Sequence, residues 1–108
     1  MTNKELRYKF DELKKEWKEN TIIHSNFYLM FHDPSYQAII ALDRPVLPLL
    51  FEELQREPDW WFYAIEEITG ESPEVEDMKR MLGYDLLHLT DMFLKWGKTK
   101  GLVRPIDK

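Results

Sequence analysis

The stretch that most constrains this chain is Asp59–Gly70, DWWFYAIEEITG, in which four aromatic residues stand in a row between a residue that can cap a helix and one that can end it. An Asp side chain accepts the free backbone N–H groups of a helix N-terminus, and a Gly takes the left-handed conformation that closes many helices. The stretch therefore predicts a helix that begins and ends within it. At roughly 100° per residue, Trp60, Trp61, Ala64, Ile65 and Ile68 fall on one side, while Phe62 and Tyr63 point away beside Glu66 and Glu67. Two readings follow. The helix is the centre of a small all-α core, covered on two sides, or Phe62 and Tyr63 form an exposed aromatic patch for a partner.

The neighbouring segments decide between them. From Lys4 to about Asn20, Leu6, Phe10, Leu13 and Trp17 recur at spacings of four, three and four among charged residues, which predicts an amphipathic helix with one apolar stripe. Asn20–His32, NTIIHSNFYLMFH, has neither a period of two nor one of 3.6, so a short helix and an irregular connector both stay open. Asp33-Pro34 predicts a capped helix carrying Tyr36, Ile39 and Ile40 and ending near Leu42. Asp43 repeats the signal, with Pro45 in the first turn. Val46, Leu47, Leu50, Phe51 and Leu54 then form a broad apolar face that runs to Glu57, before Pro58 stops the helix.

Ser72-Pro73 starts a further predicted helix, with Val75, Met78 and Leu82 on one face and a break at Gly83. The last helix runs from Tyr84 to about Lys100, with Leu86, Leu89, Phe93 and Trp96 on its apolar face. Gly97 shares that face and invites the close approach of another helix. Amphipathic helices on both sides of Asp59–Gly70 need a two-sided neighbour, so its aromatic run is assigned to the core, with Phe62 touching a second layer. Tyr63, Glu66 and Glu67 are left as its partner-facing residues. The expected fold is an all-α, compact bundle of five to six short helices forming a single domain over residues 1–108, with 103–108 a mobile basic tail.

At 108 residues, 44% hydrophobic and 14% aromatic, the chain can fill one modest core. No run approaches the roughly 20 apolar residues of a membrane span, and MTNKELRYKFDELKKEW is charged where a signal peptide is apolar. A cytoplasmic location is the expectation. The absence of cysteine excludes a disulfide, a thiolate metal site and a thiol nucleophile. Net charge is −5, but Asp43–Asp77 holds eleven acidic residues against Arg44 and Arg56 alone, whereas Lys95, Lys98, Lys100, Arg104 and Lys108 make the C-terminus basic. An acidic middle does not grip a phosphate backbone, which demands cations. It suits a basic protein surface, with Glu52, Glu53, Tyr63, Glu66 and Glu67 as candidate partner-binding residues; solvated helix faces are the plainer explanation.

Catalytic patterns are missing. His24, His32 and His88 have neither an i, i+4 pairing nor the adjacent Glu of a helical zinc motif, and no Ser stands in a nucleophile elbow. Neither a metal nor a cofactor is expected. Glu66 or Glu67 beside aromatics could act as a general acid only if desolvated. Lys95, Trp96, Lys98 and Lys100 interleave cations with an aromatic in the manner of a single-strand binder, but Trp96 is better used in the core.

Asp43–Gly70, DRPVLPLLFEELQREPDWWFYAIEEITG, resembles one HEAT-type repeat, a helical hairpin whose first helix has an early proline and spaced leucines. Such repeats present binding surfaces when stacked. Over a longer span the chain resembles a set of small uncharacterised bacterial proteins from mobile and accessory genomic regions. The matching segments are DPSYQAII at Asp33–Ile40, PLL around Pro48, EPDWWFYAIEEITGESP at Glu57–Pro73 and FLKWGKTKGL at Phe93–Leu102. The glycine usual near Leu42 and the histidine usual near Asp33 are changed here. This resemblance implies a fold rather than an activity.

The expectation is a non-catalytic protein-interaction module, a regulatory or neutralising partner of antitoxin-like kind or an inhibitor of a host nucleic-acid-binding factor. Its partner is another protein with a basic surface, with no direct nucleic-acid or membrane contact, and self-association stays open. The alternative is a small ligand-binding domain or enzyme with a pocket near Tyr28, His32 and Tyr36.

Overall fold

The computed structural model describes residues 1–22, 26–71, 73 and 85–103. Among them stand six α-helices and one 3-10 helix, with no strand, so the fold is all-α. In chain order these are α1 (Asn3–Thr21), α2 (Phe27–Phe31), α3 (Pro34–Ala41), a 3-10 turn (Arg44–Val46), α4 (Leu47–Arg56), α5 (Phe62–Thr69) and α6 (Leu86–Thr99). The helix expected from Ser72-Pro73 through Leu82, its break at Gly83, and residues 104–108 of the expected tail lie outside the described residues. The chain divides between Val46 and Leu47 into two compact units.

In the first unit, α1 is fixed at its start by reciprocal bonds: Glu5 N donates to Thr2 Oγ1 at 3.1 Å and Thr2 N donates to Glu5 Oε1 at 3.3 Å. This capping box satisfies two backbone donors that a helix start otherwise leaves open. The predicted stripe is the buried one, with Leu6, Phe10, Leu13 and Trp17 turned inward. It packs on α3, and α2 touches both helices. Trp17 is the hinge of this packing. Its ring lies 5.2 Å from that of Tyr36, which in turn lies 5.4 Å from Phe31, and its Nε1–H donates to the Met30 carbonyl at 2.8 Å. A polar clasp joins the same elements. Asp33 caps α3 through Ser35 N (2.9 Å), Ser35 Oγ donates to Glu16 Oε2 (3.0 Å), and Asn20 Nδ2 donates to Asp33 Oδ2 (3.1 Å).

Asp43 does not cap a helix through its side chain in the way its sequence context suggests. It sits at φ 63°, in the left-handed region that Asp tolerates better than most residues, and its carbonyl accepts from Val46 N at 2.9 Å to open the 3-10 turn. The α-helix proper begins three residues later than the expected start at Arg44, at Leu47, with Pro48 second, where a missing N–H costs nothing.

In the second unit, α4 packs against both α5 and α6. Leu47, Leu50, Phe51 and Leu54 are buried as the apolar face predicted, and Leu49 and Glu53 with them; Val46, the last residue of the first unit, is buried too. The helix α5 ends where expected, at Gly70 with φ 71°, its N–H bonded to the Glu66 carbonyl. Its start is different. Asp59 does not cap it: Asp59 Oδ1 accepts from Trp60 N and the Asp59 carbonyl from Trp61 N, both at 2.8 Å, and Trp61 occupies the cap position with no side-chain bond. The indole of Trp61 is fully buried there.

Phe62 is fully buried too, its ring 4.8 Å from Phe93 of α6, so it belongs to no exposed patch. Trp60 and Ile68 are only half-buried, at the margins of the core rather than within it. On α6, Asp85 is the cap, accepting from His88 N at 2.7 Å, and Leu89, Thr90, Phe93 and Gly97 form the buried side. Leu86 and Trp96, expected on that face, are half-buried. Gly97 faces Phe51 of α4, and a Cβ at this glycine would lie only 2.6 Å from Phe51 Cε1.

Candidate functional site

The outer side of α5 carries two of the carboxylates of the acidic middle of the chain, Glu66 and Glu67; Asp43, Glu57 and Glu71 are exposed elsewhere. Ala64, Ile65 and Phe62 are buried on one side of this helix. Tyr63, Glu66 and Glu67, at i, i+3 and i+4, share the other, Tyr63 and Glu66 half-buried and Glu67 exposed. The three positions sweep about 100° of the helix surface. The arrangement places a phenol beside two carboxylates, which can accept charge-assisted hydrogen bonds from Lys or Arg while the ring lies under their alkyl stems.

The other two candidates from the sequence, Glu52 and Glu53, do not extend this face. Glu52 Oε1 is 3.2 Å from Nη1 of Arg56 one turn on, which already balances its charge, and Glu53 is 8% exposed, within the packed side of α4. Residues i and i+1 lie about 100° apart on a helix, so the two cannot both face outward when α4 buries as wide a side as Leu47, Leu49, Leu50, Phe51 and Leu54 require.

The pocket residues of the alternative are separated by burial. Tyr36 is fully buried between Trp17 and Phe31, whereas Tyr28 is 67% exposed and stacks on exposed His32, centroids 4.1 Å apart at 17°. His32 Nδ1 lies 2.9 Å from the Tyr28 carbonyl oxygen. A carbonyl can only accept, so the contact is a hydrogen bond in the tautomer that carries its proton on Nδ1. The stack closes the end of α2, a role that neither the spacing nor the composition of Asn20–His32 announced. Within Asn20–His32, Ile22, Tyr28 and Leu29 leave apolar surface exposed, unforeseen because the segment has no period that separates an inner from an outer side.

An open groove of about 550 Å³ follows the outer face of α1, lined by Met1, Lys4, Tyr8, Lys9 and Glu12 among others. A hydrogen bond to Glu12 and the charge of that carboxylate raise the pKa of the Tyr8 phenol, since both favour the protonated form. The groove mixes charges of both signs, Lys4 and Lys9 with Glu5 and Glu12. Among the described residues, no three His, Cys, Asp or Glu side chains stand together as a metal site would require. No described helix is long and apolar enough to cross a membrane.

At the C-terminal end of α6, Lys95 and Lys100 are paired within the second unit. Lys95 Nζ lies 3.0 Å from Asp91 Oδ2 and Lys100 Nζ 3.5 Å from Glu71 Oε1, while Trp96 is half-buried with its ring edge-on to Phe93 at 6.2 Å. Trp96 is thus tied into the core side of the helix rather than standing clear as a stacking platform. No family model, no curated protein and no solved structure matches the chain.

Proposed function

We propose that this chain is a non-catalytic helical module that binds another protein through a basic surface, with Tyr63, Glu66 and Glu67 as the contact face. The observation that carries this reading is the division of α5: its inner side is fully buried by Phe62, Ala64 and Ile65, while its outer side holds one phenol and two carboxylates with part or all of their surface open to solvent. Charge defines the partner. Carboxylates steer a cationic surface in and suppress acidic competitors, and an interfacial Tyr adds contact area at low entropic cost. A regulatory or neutralising role fits such a module, since occupying a basic surface denies it to nucleic acid.

The test is affinity capture from a cell lysate with the wild-type chain, a Glu66→Lys/Glu67→Lys variant and a Glu12→Lys/Glu19→Lys control on α1. The expected result is a basic protein retained by the wild type and the control, released by salt, and bound at least tenfold more weakly by the α5 variant. Equal retention by all three chains, with circular dichroism showing each one folded, would refute the α5 assignment.

A further inference from the structure

We draw no further inference here: the strongest candidate, the exposed apolar side chains Ile22, Tyr28 and Leu29 around α2, carries nothing because nothing in the structure shows what covers them.

Discussion

Replacing Gly97 by alanine sets two well-understood effects against each other. Within a helix, Gly→Ala ordinarily stabilises by about 1 kcal/mol, because alanine loses less backbone entropy on folding. At Gly97 the new methyl carbon would stand 2.6 Å from Phe51 Cε1, 2.9 Å from Phe51 Cζ and 2.8 Å from Val103 Cγ2. Ordinary carbon contacts lie near 3.5–4.0 Å, so the Phe51 ring has to retreat by about 1 Å. Phe51 is fully buried, so the retreat is transmitted to the packing of α4. Overpacking of this kind costs about 1–3 kcal/mol, and pressure from two sides places Gly97 in the upper half of that range. Net of the helix gain, Gly97→Ala is expected to destabilise by about 1–2 kcal/mol.

Urea unfolding followed by circular dichroism measures this, and a second background isolates the cause. In Phe51→Leu the ring carbons Cε1 and Cζ are gone and the Val103 contact remains, so Gly97→Ala measured against Phe51→Leu alone should be close to neutral, the helix gain offsetting the remaining contact. The coupling between the two positions is then about 1–2 kcal/mol. A stabilising Gly97→Ala in the wild-type background, or the same cost in both backgrounds, would show that α4 and α6 do not meet at this glycine.

Gly70 tests backbone conformation where space is not at issue: nothing would lie within 4 Å of an added Cβ, but φ is 71°, so Gly70→Ala should cost about 1 kcal/mol and Gly70→Asn less, both read from urea midpoints. Trp17→Phe removes the indole that fills the first unit and the donor to the Met30 carbonyl; a loss of about 2–3 kcal/mol is expected, and a change under about 0.5 kcal/mol would refute the role given to Trp17. Glu12→Gln should lower the pKa of Tyr8, seen as the difference between ultraviolet titrations with and without a Tyr8→Phe change. The folded chain favours the protonated phenol, so the contribution of this pair to stability is complete below the ordinary tyrosine pKa and is lost as pH rises through the raised one.

What the sequence could reveal depended on whether the deciding partner lay nearby in the chain. The stripe Leu6, Phe10, Leu13 and Trp17 is legible because 19 residues of α1 repeat one period often enough to define a side, and Asp33-Pro34 marks α3 because cap and proline act within one turn. The five residues of α2 cannot complete two turns, so no period could form there. Asp59 looked like a cap by the same local rule that worked for Asp33. It failed because Trp61, two residues on, is drawn into a core that the rule does not see. Phe62 makes the point within one helix, since its burial is completed by Phe93, 31 positions away, and no property of DWWFYAIEEITG contains that contact. Tyr63, Glu66 and Glu67 differ in kind. Their outward direction follows from helix geometry once Ala64 and Ile65 face inward, so the outer side of α5 and the inward turn of Trp61, Ala64 and Ile65 could be read from twelve residues, while the partner that buries Phe62 could not. The same geometry links the fold to the proposed function: the buried Phe62, Ala64 and Ile65 fix the rotation of α5, and substitutions at Glu66 and Glu67 reverse the charge of its other side.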